Sequence, residues 1–160
     1  MRVKSLYIKQ KVFSWSDTFH VYNEAGEVRY TVEGELFSWG KKLHVFDHNN
    51  RECAYVEQKL FTFLPKYNIW INGQQAAEVV KEFTFFSQQY TVNGPGWDVH
   101  GEFWSHEYEI TCGGHPVAAV SKEWFTLGDA YELRIFDNVD PALALAVVLV
   151  IDACIEDSNN

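Results

Sequence analysis

Asp140-Pro141-Ala142-Leu143-Ala144-Leu145-Ala146-Val147-Val148-Leu149-Val150-Ile151-Asp152-Ala153-Cys154-Ile155 decides the fold, because it breaks the pattern of everything before it. Pro141 suits the first position of a helix, where its missing N–H is not needed, and Asp140 before it can accept from the free first-turn amides. Spaced at 100° per residue, Leu143, Leu145, Val147, Val148, Leu149, Val150, Ile151 and Ile155 point in nearly every direction. The β-branched residues also allow a strand, but the alanines, the cap and the length favour a helix. A helix that is apolar all round is buried all round, and this one is short for a bilayer. The inside of whatever the preceding residues build is the simplest place for it.

Before about residue 137 the chain reads almost entirely as antiparallel strand. Glu27-Val28-Arg29-Tyr30-Thr31-Val32-Glu33 and Tyr131-Glu132-Leu133-Arg134-Ile135 alternate apolar with polar, as half-buried strands do. Turn signals punctuate the alternation at Asn23-Glu24-Ala25-Gly26, Asp47-His48-Asn49-Asn50, Asn72-Gly73, Asn93-Gly94-Pro95-Gly96 and Cys112-Gly113-Gly114. The units Phe19-His20-Val21-Tyr22-Asn23, Leu43-His44-Val45-Phe46-Asp47 and Tyr67-Asn68-Ile69-Trp70-Ile71 begin 24 residues apart. Tyr90-Thr91-Val92-Asn93 follows after 23, and the units at Tyr108 and Tyr131 are again 23 apart. Aromatic pairs such as Phe37/Trp39, Phe61/Phe63 and Phe83/Phe85 accompany them. A repeat this short is one hairpin, which cannot bury its apolar face alone. About twelve such strands sharing a core predict a mainly β fold, a closed β-barrel over residues 1–136 around a central helix over 140–157. Closure also removes exposed strand edges. One domain spanning 1–160 is expected.

Composition agrees with a folded domain: 160 residues, 47% apolar and 16% aromatic, against disorder and sufficient for a core. No stretch is long and apolar enough to span a membrane, and the first residues lack the apolar run of a signal peptide. Cys53, Cys112 and Cys154 are odd in number and form no C-x-x-C pair. That fits small apolar residues in a reducing cytoplasm better than disulfides or zinc. The net charge of −9 disfavours long-range attraction to nucleic acid or to an anionic membrane. The charge is uneven: Arg2, Lys4, Lys9 and Lys11 all precede the first acidic residue, Asp17. Lysines on a first strand also serve simply to solvate it and protect an edge.

A barrel of many antiparallel strands around a hydrophobic carboxyl-terminal helix resembles the tubby-like fold. The repeated units Val21-Tyr22-Asn23 and Val45-Phe46-Asp47, the segment Trp97-Asp98-Val99-His100-Gly101-Glu102-Phe103 and the Asp140-Pro141 helix start resemble the LURP-one-related family within it, in its bacterial single-domain form. The resemblance covers essentially the whole chain. It implies a phospholipid-linked role, since tubby domains bind phosphorylated inositol lipids and phospholipid scramblases share a similar barrel. Nothing here matches a clustered basic lipid pocket. The acidic calcium-linked segment of scramblases is reduced to Asp137, Asn138 and Asp140, too few oxygens for calcium and well suited to a turn and a helix cap.

Catalytic constellations are absent from the sequence. No serine sits in a G-x-S-x-G elbow, no cysteine has an adjacent histidine, and no glycine-rich loop precedes a helix. His20 and His44 share a repeat position, which points to a structural role, and His44 and His48 flank a turn. His100 and Glu102 face one side of a strand with His106 unplaced, a weak metal candidate. Carboxylate pairs Glu33/Glu35 and Glu107/Glu109 read as solvated strand faces. The tryptophans at 15, 39, 70, 97, 104 and 124 read as barrel core or surface. The expectation is therefore a cytoplasmic, non-enzymatic binding module that needs no cofactor or metal. It engages an anionic phospholipid headgroup or membrane surface through Arg2, Lys4, Lys9 and Lys11, with Lys41 and Lys42 as a second patch. The alternative is a protein-interaction scaffold without a lipid role.

Overall fold

Each strand of the chain pairs with the next in sequence, and the last returns to the first. The computed structural model describes residues 3–9, 18–35, 39–83, 88–122, 130–136 and 138–158, the side chain of Ser158 excepted. Among these, twelve antiparallel strands form a closed barrel: β1 (Lys4–Lys9), β2 (Thr18–Tyr22), β3 (Val28–Gly34), β4 (Lys42–Asp47), β5 (Glu52–Gln58), β6 (Lys66–Ile71), β7 (Gln74–Phe83), β8 (Gln88–Asn93), β9 (Trp97–Glu102), β10 (Glu107–Cys112), β11 (His115–Lys122) and β12 (Ala130–Ile135). β1 pairs with both β2 and β12, so no edge is left to recruit another chain. The one helix among the described residues, α1 (Pro141–Ser158), follows β12.

The 24-residue repeat is a hairpin seen from inside. The even strands present one large inward residue and then, two positions on, a branched one. Leu43, Tyr67, Tyr90, Tyr108 and Tyr131 form the first layer, and Val21, Val45, Ile69, Val92, Ile110 and Leu133 the second; all are buried. In β2, β4, β6 and β10 the register shifts just after that second residue, between Val21/Tyr22, Val45/Phe46, Ile69/Trp70 and Ile110/Thr111. Such bulges bend and twist a strand, so the repeat builds curvature as well as alternation. The turns beyond them are equally repetitive. Asn23 Oδ1 accepts from the amides of Ala25 and Glu27, and Asp47 Oδ1 from those of Asn49 and Arg51, 24 residues on. Asn72 and Gly73 both have positive φ, 50° and 82°, the two-residue hairpin turn that suits twisted strands.

α1 fills the barrel. Asp140 Oδ1 accepts from the Ala142 amide at 2.9 Å, and its carbonyl from Ala144 at 3.1 Å, which is the cap read from the sequence. Every residue from Ala144 to Ile151 is at most 1% exposed. The helix lies nearest β5, β6 and β7. On β5 and β7 the inward residues Ala54, Val56, Ala77 and Val79 are small, whereas the large rings of Trp97, Phe103 and Tyr108, on and between β9 and β10, fill another part of the core. The helix enters at the end bearing the tight turns and finishes at the end bearing the wider connections 35–41, 59–65 and 103–106.

Seven large aliphatic side chains of α1, Leu143 to Ile151, would be stranded without the wall, at roughly 1.5–3 kcal/mol each. That total matches or exceeds the stability of a typical domain, about 5–15 kcal/mol. A stop codon after Asp140 is therefore expected to abolish the folded monomer. A truncated chain with a cooperative thermal melt and a dispersed NMR spectrum would contradict this packing.

Candidate functional site

The last turns of α1 convert an apolar plug into a polar one. Asp152, half-buried, accepts a hydrogen bond from the Tyr131 hydroxyl through Oδ2 and lies 3.3 Å from His106 Nε2 through Oδ1. The His106 ring stacks on Tyr131, centroids 4.3 Å apart and planes within 20°. His106 ends the 103–106 turn with φ of 56° and is 5% exposed. In the same turn Phe103 packs edge-on against Tyr90 at 4.8 Å and covers Tyr108 at 5.2 Å. Burial, reinforced by the Asp152 charge, pushes the Tyr108 and Tyr131 hydroxyls well above the usual phenol range. Burial likewise raises Cys154 to about 11 and lifts Glu156. Lys41 closes the end by pairing with Asp157 and donating to the Ala153 carbonyl at 3.4 Å, a cation on the negative end of the helix. Hydroxyls held protonated and a thiol held neutral are poor nucleophiles. The network instead fixes the depth and rotation of the plug.

Outside this seal, the same end exposes aromatic rings. Phe61 and Phe63 are fully exposed, at 101% and 100%, and Trp39 is 83% exposed. Leu60, Phe83 and Trp104 are exposed at the same end, whereas Val28 is the one large apolar side chain exposed at the tight-turn end among the described residues. Phe61 has φ of 59°, a backbone region that bulky residues avoid at a cost of order 1–3 kcal/mol. The loop thus holds that ring outward rather than letting it fold back. The lysines gather here too. Of the described lysines, only Lys4 stands at the other end. Carboxylates are interspersed with them, and Lys59 pairs with Glu78 at 3.0 Å.

The basic residues singled out from the sequence do not form one patch. Lys4 and Lys9 are exposed at opposite ends of β1, about 17 Å apart at 3.4 Å per residue. Lys9 lies 5.5 Å from the Tyr22 ring centre. Lys41 is committed to the helix end, and Lys42 is half-buried beside it. Arg2 and Lys11 lie outside the described residues, as do Asp137, Trp15 and Trp124. His100 and Glu102 are exposed while His106 turns inward to Asp152, so these three do not converge. His20 and His44 both sit on outer strand faces, as their shared repeat position requires. His20 Nδ1 is 3.3 Å from Thr31 Oγ1, and His44 is held by two carboxylates, Glu52 at 2.5 Å on Nδ1 and Glu35 at 2.9 Å on Nε2. Trp97 is buried, Trp70 half-buried, and Trp39 and Trp104 are exposed.

The family model for LURP-one-related proteins matches residues 4–152. The chain belongs to this family. Among its relatives, the uncharacterised protein YxjI of Bacillus subtilis (strain 168) is 36% identical over 147 residues, covering 92% of this chain and 91% of that one. An X-ray structure of a protein from Arabidopsis thaliana shares the fold with a TM-score of 0.66 at 14% identity, over 99% of this chain and 92% of the other. The LURP-one-related match spans the barrel and most of the plug, including Asp152. No described helix is long and apolar enough to cross a membrane.

Sequence reading missed the Asp152 network and the exposed loop. A single charge inside an otherwise apolar run was the available signal for the first, because a buried carboxylate demands partners. Replacing Tyr131 by Phe should cost about 1–3 kcal/mol, since Asp152 loses a donor inside the seal; urea titration of the full chain measures it. His44 gives a pH prediction. Burial alone lowers its pKa, but hydrogen bonds and charge from Glu52 and Glu35 outweigh this and raise it above 6.5. Its stabilising contribution is thus complete below 6.5 and lost as pH rises through the raised value. Melting temperatures of the wild type should fall relative to His44→Gln across that interval, and parallel curves would contradict the ion pairs.

Proposed function

We propose that this LURP-one-related barrel is a non-enzymatic binding module that docks on a phospholipid membrane surface by its wide end. The observation carrying this reading is the pair of fully exposed rings Phe61 and Phe63 on a loop with Phe61 in a left-handed conformation. Trp39, Phe83 and Trp104 extend the apolar rim, and Lys42, Lys59 and Lys66 flank it. Aromatic rings with lysines at their bases suit the boundary between acyl chains and headgroups. Mixed charge around the rim and the net charge of −9 make ring insertion, rather than long-range attraction, the main source of affinity. Three free thiols and an unstapled fold support a cytoplasmic location.

Each inserted phenyl ring contributes roughly 1.5–3 kcal/mol, enough for reversible docking. Phe61→Ser/Phe63→Ser should therefore lower vesicle partitioning by about 100-fold or more while leaving the melting temperature unchanged. Co-sedimentation with phosphatidylcholine vesicles, with and without phosphatidylserine, at low and physiological salt measures it. Binding to no vesicle would overturn the membrane reading and favour a protein-interaction scaffold that uses the same rim.

A further inference from the structure

A second surface lies on the outer face of β4, β5 and β6, running from the rim toward the tight-turn end. Register aligns Glu33, His44, Tyr55 and Trp70 in one row across β3 to β6. The rings pack along it at a tilt, His44 to Tyr55 at 4.9 Å and Tyr55 to Trp70 at 5.4 Å, with planes 37° and 40° apart. A groove of about 440 Å³ opens here, lined by His44, Glu52, Tyr55, Trp70 and the Asn72-Gly73 turn, within the size range of small-ligand sites. Its chemistry is one-sided. Glu35 and Glu52 hold His44, and Glu57 accepts from the Tyr55 hydroxyl at 3.1 Å. Cys53 beside them is no nucleophile, because burial raises it to about 11.

We propose that this groove is a cation-binding site for the guanidinium of an arginine in an exposed basic peptide. Electron-rich faces of Trp70 and Tyr55 attract a cation, and a planar guanidinium both stacks on a ring and hydrogen-bonds a carboxylate. His44 uses one oxygen of Glu52 and one of Glu35; Glu52 lines the groove, and no described residue bonds its second oxygen. The site also carries its own competitor. Two carboxylates bonded to two ring nitrogens require both N–H donors, which only the imidazolium has. While His44 is protonated it neutralises the carboxylates an incoming guanidinium would use. Once it is neutral, they act on the ligand. The groups facing His44 are Glu33 and Glu35 from the β3 side, Lys42 and Phe46 on its own strand, and Glu52, Tyr55 and Glu57 on β5. Of these, only the imidazole changes charge between pH 6 and 8.5 by ordinary values. Affinity is thus set to rise with pH over that interval.

The test is NMR titration of the full chain with N-acetylarginine amide, a Gly-Arg-Gly peptide, and N-acetylcitrulline amide as the neutral isostere. The expected result is saturable perturbation of the Trp70 indole, tighter for the peptide and weaker by about tenfold or more for citrulline. Binding should strengthen from pH 6 to 8.5, with that gain absent in His44→Gln. Glu52→Gln, which preserves shape, and Trp70→Leu should each weaken it about tenfold in chains that still melt cooperatively. Equal binding of citrulline, or retention of affinity in both variants, would overturn the cation site. No gain of the peptide over the single amide would overturn a peptide source. A flat pH profile in the wild type would overturn competition by His44. None of these readouts depends on vesicles, so this site and the membrane rim succeed or fail separately.

Discussion

A closed twelve-stranded barrel has no exposed edge but encloses a space that its own side chains do not fill. Everything else in this protein follows from how that space is occupied. α1 does so with residues apolar in every direction, at most 1% exposed from Ala144 to Ile151. The wall is shaped to receive it. Small inward residues at Ala54 and Ala77 let the helix approach β5 and β7, and the large rings of Trp97, Phe103 and Tyr108, on and between β9 and β10, fill another part of the core. Strand and helix are thus halves of one core, with neither able to bury its apolar surface alone.

How much of this was legible in the sequence depends on whether a feature is local. The helix was legible because Asp140, Pro141 and the run after them are consecutive, and the cap forms as read. The barrel was legible because the repeat places buried residues at fixed offsets, so Val21, Val45 and Ile69 are all fully buried. Loop geometry was not. Phe61 and Phe63 have the same alternation as an inward-facing pair, and only the backbone path from Lys59 to Pro65, with its left-handed Phe61, turns both outward. Nor was the alliance of His106, Tyr131 and Asp152, whose members are 21 to 46 residues apart and meet only when the plug is seated. Charge clustering in sequence misled for a related reason. Lys4 and Lys9 are near neighbours in the chain, but an extended strand carries them to opposite ends.

The two ends of the barrel therefore do different work. Short hydrogen-bonded turns and the helix cap close one end with backbone polar groups satisfied locally. At the other, side chains do the sealing: Asp152, His106 and Tyr131 inside, Lys41 against Asp157 at the margin. That side-chain seal leaves Leu60, Phe61 and Phe63 of the 59–65 connection outside the core, where they are exposed to a partner surface. Binding at loops held on a rigid scaffold is a general solution, because the scaffold keeps its stability while the loops carry the contacts.

Native-state hydrogen exchange followed by NMR tests the shared core most directly. If helix and wall are one cooperative unit, amides of Leu145 to Ile151 exchange only through global unfolding, with the same free energy as those of Val45, Ile69 and Val92. Exchange of the helix at a distinctly lower free energy than the strands would show that the barrel stands without its plug, and would contradict the account.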